Sequence, residues 1–205
     1  MWYNVSLIMK NKMNQDSMNE HKNSSTDSTY QVTKLDTGFN ICFSVQNANL
    51  DLVSIFGFPI LDILHLVNKD DLIDLYRREM CVDGMSANVQ MVFKHLFKDI
   101  GLPQFYMNMF FQCVKTESEI VYNCVPDKLL PALKKDGYNI SSHNMHIPIE
   151  SIKITCVFPT NQTAICEVSI KLDTTYSKLS QYESMLLSIF KKMFNKVKRF
   201  IETSV

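Results

Sequence analysis

The last thirty or so residues constrain the fold more than any other segment, because they carry one long amphipathic helix pattern from about residue 175 to residue 202. Such a helix would be ~42 Å long. Its apolar stripe consists of Leu179, Tyr182, Leu186, Ile189, Phe190, Met193, Phe194, Val197, Phe200 and Ile201. The opposite face is polar and mostly basic. A helix with one apolar stripe buries that stripe against another element, so the rest of the chain has to supply a long apolar surface.

The segment from Ile152 to Leu172 predicts such a surface. A turn centred on Asn161 sets apolar residues opposite one another on one face of a β-hairpin. The predicted pairs are Ile152 with Ile170, Ile154 with Val168, Cys156 with Cys166, and Phe158 with Ala164. The other face is mostly polar, with Val157 and Ile165 as exceptions. One side of this hairpin is therefore expected to be buried and the other to face water.

The earlier part of the domain reads as a hairpin followed by helices. Residues 30–36 and 39–45, joined at Thr37-Gly38, alternate as strands do. Pro59 is suited to begin a first helix. Asn68 and Asp71 resemble the cap of a second helix that reaches about Met80. Ser86 is expected to cap a third helix, whose apolar face includes Val89, Val92, Phe93, Leu96, Phe97 and Ile100, and which ends at Gly101.

Strands are predicted at residues 105–114 and 120–125, followed by a short helix from Asp127 to Lys135. The whole order predicts an α+β fold, in which an antiparallel sheet has helices on one face and the long C-terminal amphipathic helix packed across it. This order resembles the helix-grip folds, apart from the hairpin that precedes the helices. The resemblance rests on the order of elements rather than on a motif, and it implies an apolar cavity between sheet and helix.

Composition adds limits on domains and location. Residues 1–29 contain few large apolar side chains and are predicted to be a disordered head, whereas residues 30–205 are predicted to be a single α+β domain. Six cysteines are spread widely, without a CxxC pair, and are interpreted as reduced thiols. We find neither a signal peptide nor a membrane-spanning pattern, which predicts a cytoplasmic or nuclear protein.

The sequence offers few groups for catalysis or metal binding. Motifs typical of nucleotide binding, serine hydrolases and zinc proteases are absent, and we expect no cofactor. His143 and His146 lack a third ligand at a suitable spacing. Cys81 would act as a nucleophile only if His65 or His95 approached it.

The charged residues elsewhere in the sequence do not predict a catalytic site or a nucleic-acid-binding surface. Asp70, Asp71 and Asp74 are interpreted as a solvated cluster at the start of the second predicted helix. The 21 basic and 21 acidic residues balance, and the aromatic run at residues 105–111 contains no Lys or Arg. Binding to nucleic acid is therefore not expected.

Three functions stay open. The leading hypothesis is a non-enzymatic protein–protein interaction module, either a subunit of a larger assembly or a homo-oligomer. Its partner or ligand face would consist of Phe190, Phe194, Val197, Phe200, Lys191, Lys192, Lys198 and Arg199. The same helix is compatible with peripheral membrane contact. The first alternative is a carrier of an apolar small molecule between the sheet and the C-terminal helix, and the second is an enzyme with a site near Cys81 or His143/His146.

Overall fold

The computed structural model describes residues 30–127, 134–135, 138–139, 144–175 and 179–204. Within these residues, nine strands form one sheet and two further short strands pair separately. The strands are β1 (Gln31–Leu35), β2 (Gly38–Gln46), β3 (Ile73–Met80), β4 (Ser86–Phe93), β5 (Phe105–Lys115), β6 (Glu119–Pro126), β7 (Lys134–Lys135), β8 (Tyr138–Asn139), β9 (Met145–His146), β10 (Ile149–Thr160) and β11 (Thr163–Leu172).

Three α-helices accompany the strands in the described residues: α1 (Leu52–Ile55), α2 (Pro59–Asn68) and α3 (Leu179–Thr203). A single 3₁₀ turn covers Lys98–Ile100 and ends at Gly101, whose φ of 73° is the left-handed conformation that glycine adopts without strain. Helix α2 begins at Pro59, as predicted. No helix in the described part of the chain is both long enough and apolar enough to span a membrane.

The main sheet has the order β1-β2-β11-β10-β6-β5-β4-β3, with antiparallel neighbours throughout, and β9 pairs in parallel with the start of β5. The predicted β10–β11 register is confirmed for three of the four pairs. The fourth pair, Phe158 with Ala164, is displaced by an irregularity between Val157 and Thr160. Pro159 lies in this irregularity and cannot donate to the ladder. On its other side, the Phe158 N–H bonds to the Ser118 carbonyl, which continues the β10–β6 register by one residue.

Helix α3 lies across the inner face of the sheet, which confirms the predicted α+β architecture. From Tyr182 onward its apolar stripe is buried. Phe190 contacts Phe39 and Phe194 contacts Phe43, with ring centroids 6.2 and 6.1 Å apart. The last turn is held by the buried Asn47, whose amide donates to the carbonyls of Ile201 at 2.6 Å and Ser204 at 2.7 Å. Carbonyls at a helix end lack the usual intrahelical donors, and here the Asn47 amide supplies them, with the Ser204 N–H as a second donor to Ile201 at 3.3 Å.

The second and third predicted helices are wrong, because residues 73–80 and 86–93 form the antiparallel strands β3 and β4. Strand β4 is largely buried on both of its faces, so its sequence lacks the polar–apolar alternation typical of a half-exposed strand. The connection is a tight turn. The carboxylate of Asp83 accepts hydrogen bonds from the N–H groups of Met85 and Ser86, and Gly84 has a φ of 65°. Ser86, the predicted cap of the third helix, therefore begins a strand of this hairpin, whereas Asn68 is the last residue of α2 and Asp71 lies in the turn after it.

Two further predictions fall partly or wholly outside the described residues. The predicted helix from Asp127 to Lys135 is wrong at its end, since Lys134–Lys135 pairs as a strand with Tyr138–Asn139. Residues 128–133 lie outside the description. The predicted disordered head, residues 1–29, lies outside it as well.

Candidate functional site

An apolar cavity of about 50 Å³ lies between the sheet and the two longer helices. Its sheet wall comes from strands β2, β6, β10 and β11. That wall includes Phe43, Val45, Tyr122, Ile154, Cys166 and Val168, with Cys156 beside them. These residues face the same side because alternate residues of each strand point to one face of the sheet. The cavity is therefore built on the surface that the hairpin pattern predicted to be buried.

The helical wall closes the cavity from the other side. It consists of Phe56, Ile60, Leu61 and Leu64 around helix α2, with Phe194 and Val197 from α3. The chain enters α2 through Gly57, whose φ of 150° is a conformation that favours glycine. The cavity thus lies where α2, α3 and the sheet meet.

Polar side chains hold the N-terminal half of α2 against strand β3. The guanidinium of Arg78 donates to the Phe58 carbonyl at 2.7 Å and to the Asp62 carboxylate at 2.8 Å. The Tyr76 hydroxyl donates to the same carboxylate at 3.2 Å. Arg78 is mostly buried and Asp62 is partly exposed. This cluster is the main polar attachment between β3 and the helical wall in the described residues.

The other end of α2 is attached to α3. Asp71 forms ion pairs with Lys192 at 2.7 Å and Lys196 at 2.6 Å, and the Asn68 amide donates to the Leu64 and Met193 carbonyls. Burial alone would raise the pKa of Asp71, but the hydrogen bonds and charges of the two lysines lower it. The prediction of an acidic cluster at a helix start is wrong, because Asp71 lies in the turn after α2 and Asp74 lies in β3.

Tyr122 supplies the one hydroxyl among the described lining residues. Its side chain is only 1% exposed, and its ring contacts Phe58 edge-on, with centroids 6.5 Å apart. The hydroxyl oxygen has no hydrogen-bond partner. Burial raises the pKa of Tyr122 well above its usual value, and the Gly57 N–H, which approaches the hydroxyl oxygen without meeting hydrogen-bond geometry, acts in the opposite direction. The group therefore stays protonated and remains a hydrogen-bond donor.

The cavity is small for a ligand-binding site. A drug-sized ligand usually occupies about 300–1,000 Å³, several times the volume available here. The space exceeds the ~10–15 Å³ that one water requires, but a buried water also needs about 2–4 polar partners. The lining offers the Tyr122 hydroxyl and the weakly polar thiols of Cys156 and Cys166. This lining therefore favours a dry, apolar cavity.

The residues predicted as a partner or ligand face fall into three locations. Phe194 and Val197 line the cavity, while Phe190 and Phe200 are buried in the surrounding core. Lys191, Lys192 and Arg199 lie on the outer face of α3. Lys198 is buried; its ammonium donates to the Ser44 carbonyl at 2.8 Å and pairs with Glu202.

Sequence reasoning did not identify Tyr122. The available signal was the alternation of Ile120, Tyr122 and Cys124, which sets a phenol between two apolar residues on the inner face of β6. That alternation predicts burial of the phenol. It does not reveal that the hydroxyl lacks a partner, because partners come from distant strands.

The groups of the enzyme hypothesis are engaged elsewhere. Cys81 lies in the β3–β4 turn, whereas His65 stacks on Tyr76 and His95 is hydrogen bonded to the Leu102 carbonyl. His146 lies against Tyr106, and His143 is outside the described residues. Among the residues that the structure describes, no group of three or more His, Cys, Asp or Glu side chains could hold a metal ion.

Comparison with known proteins identifies structures with a similar fold but no similar sequence. No family model and no curated protein sequence matches the chain. Among solved structures, the chain resembles a STAR-related lipid transfer protein from Xanthomonas axonopodis, with a TM-score of 0.60, 7% identity, and 88% of this chain and 96% of that chain covered. It also resembles the human StarD13 lipid transfer and protein localization domain, with a TM-score of 0.59, 7% identity, and coverage of 96% and 97%.

A third similar structure is human StAR-related lipid transfer protein 5, with a TM-score of 0.53, 8% identity, and coverage of 96% of this chain and 94% of that chain. At such low identity these likenesses concern the fold alone. The chain has a helix-grip fold, with a large antiparallel sheet and a C-terminal helix packed across it.

Proposed function

We propose that this chain is a carrier of an apolar small molecule, which it holds between the sheet and helices α2 and α3. The observation that carries the proposal is the apolar cavity bounded by Tyr122 and Cys166 on the sheet side and Phe194 on the helical side. The fold adds support, since the similar structures include proteins named for lipid transfer. The apolar lining favours a ligand that gains free energy by leaving water.

A carrier with this cavity has to enlarge it on binding. The sheet wall resists expansion, because β10 is hydrogen bonded to β6 on one side and to β11 on the other. The helical wall is joined to its surroundings by side chains such as Arg78 and Asp71. We therefore expect helix α2 to move outward, with Gly57 as a flexible point, when a ligand enters.

The interaction-module hypothesis loses its main sequence argument. It rested on the apolar excess of the C-terminal helix, and the buried stripe of α3 is accounted for by the protein's own core. Binding to a protein partner, oligomer formation and membrane contact through Lys191, Lys192 and Arg199 stay predictions without a specific contact in their favour.

The carrier proposal can be tested with the full chain. The purified protein is analysed by native mass spectrometry and by lipid extraction, and its transfer of extracted lipid between vesicles is then measured. The variant Cys166→Met adds a larger, flexible side chain to the cavity wall. The matched variant Cys42→Met adds the same group on the opposite face of β2.

We expect bound apolar molecules in the wild type and in Cys42→Met, and a clear reduction in Cys166→Met. Absence of any bound molecule, together with no transfer activity, would contradict the proposal. Equal loading of both variants would show that the ligand lies somewhere other than this cavity.

A further inference from the structure

We infer that Tyr122 is the polar anchor of the ligand, and that the ligand is a neutral, mostly apolar molecule whose carbonyl or hydroxyl oxygen accepts a hydrogen bond from the Tyr122 hydroxyl. The inference rests on the proposed carrier function and gives its ligand a chemical class. The observation behind it is an unpartnered hydroxyl on a side chain that is only 1% exposed and lines the cavity.

An orphaned buried donor is costly, because it loses its bonds to water without gaining others. Packing does not account for it. The edge-on contact between the Tyr122 and Phe58 rings would be the same for a phenylalanine. Solvent does not account for it either, because the apolar lining provides too few partners for a trapped water. A ligand oxygen in the cavity satisfies the donor.

The surroundings specify that this oxygen is neutral. None of the described residues that line the cavity is charged, so a carboxylate or phosphate there would be buried without a counter-charge, which is highly unfavourable. Tyr122 itself keeps its proton, since burial raises its pKa. An alcohol or a ketone fits a protonated phenol in an apolar cavity.

The experiment uses the full chain freed of bound lipid, in three forms: wild type, Tyr122→Phe and Tyr76→Phe. Tyr76 is the control because its hydroxyl already has a partner, Asp62, and lies outside the cavity. The probes are 2-acetylnaphthalene and 2-ethylnaphthalene, which differ by a carbonyl in place of a methylene. Equilibrium dialysis gives the two dissociation constants, and thermal unfolding without probe gives Tm.

We expect the wild type to bind the ketone about three- to tenfold more tightly than the hydrocarbon, a typical effect of one hydrogen bond. Tyr122→Phe should abolish this preference and raise Tm by about 2–6 °C, because the orphaned donor is gone. Tyr76→Phe should keep the preference and should not raise Tm.

The inference is overturned if the wild type binds both probes equally, if Tyr122→Phe keeps the ketone preference, if the Tm of Tyr122→Phe does not rise, or if neither probe binds. The carrier proposal itself is tested separately. It fails if the wild type contains no extractable lipid and has no transfer activity. A protein that carries lipid but shows no ketone preference would therefore refute the anchor alone.

Discussion

The two walls of the cavity are built from different interactions. On the sheet side, the backbones of β2, β11, β10 and β6 are joined by continuous hydrogen-bonded ladders. On the helical side, α2 is joined to β3 and α3 by side chains, chiefly Arg78, Asn68 and Asp71. Separating strands would break many backbone bonds together, whereas moving α2 would break a few side-chain contacts, although those of Asn68 and Arg78 are mostly buried. If the protein is a carrier, we expect any added volume to come from the helical wall.

The largest expected loss of stability is at Phe194, an aromatic residue of the helical wall that also contacts the sheet wall. Phe194→Ala removes a ring that lines the cavity and contacts Phe43, and it should lower the free energy of unfolding by about 3–5 kcal/mol. Urea denaturation measures the change. Ser188→Ala, at an exposed position of the same helix, should change stability by less than ~0.5 kcal/mol. Similar losses in both variants would mean that Phe194 has no special role in closing the cavity.

The next effect tests the attachment of the helical wall. Arg78→Met leaves the Asp62 carboxylate and the Phe58 carbonyl without their guanidinium partner, and should cost about 2 kcal/mol. It should also speed the exchange of a bound hydrophobic fluorophore, measured by stopped flow. Arg77→Met is the matched control, since Arg77 is 46% exposed against 10% for Arg78 and pairs with Glu79 at the surface. Exchange that is unchanged in Arg78→Met would place the moving part elsewhere.

A smaller loss of stability is expected when the contact between Asn47 and the end of α3 is removed. Asn47→Ala removes a donor from the carbonyls of Ile201 and Ser204, although Ile201 keeps the Ser204 N–H at 3.3 Å. We expect a loss of about 1–2 kcal/mol by chemical denaturation, without faster ligand exchange, because this contact does not belong to α2. The exposed neighbour Asn49→Ala serves as the control. Faster exchange in Asn47→Ala would indicate that α3 opens together with α2.

The smallest expected change in stability comes from Asp71 and depends on pH. Because the pKa of Asp71 is lowered in the folded protein, its contribution to stability is present above the unfolded pKa of about 4 and is lost as the pH falls through the folded value. The contribution should be less than about 1 kcal/mol, since both lysine partners are partly exposed. Unfolding of wild type, Asp71→Asn and the exposed control Asp70→Asn at pH 6 and pH 3.5 measures it. An acid sensitivity that persists in Asp71→Asn would assign it to other groups.

The sequence predicts strands β10 and β11 of the sheet wall better than it predicts strands β3 and β4. The reason is the way in which each strand is buried. Strands β10 and β11 have one wet face, so apolar and polar residues alternate and define the register down to the pair Cys156 and Cys166. Helix α3 likewise has one buried stripe. Strand β4 is buried on both faces, so Val89, Val92 and Phe93 resemble the apolar face of a helix.

The candidate site could be predicted only in part. The position between sheet and C-terminal helix follows from the two amphipathic patterns, and Phe194 and Val197 are among the residues that they predict. Tyr122 is different, because the lack of a partner for its hydroxyl depends on what β10, β11 and α2 bring near it. Local spacing contains no information on that point.

The ends of the sheet have a consequence for aggregation. In the described residues, β1 and β3 are the outermost strands of an open sheet, and such edges invite strands from other chains. Strand β3 carries Asp74, Arg77, Arg78 and Glu79 along its length, and β1 is short and contains Lys34. A strand added at either edge would have to strip water from the exposed charges among them, whereas Arg78 is already mostly buried. The exposed charges of Asp74, Arg77 and Glu79 are therefore expected to disfavour growth of the folded chain into β-linked fibres.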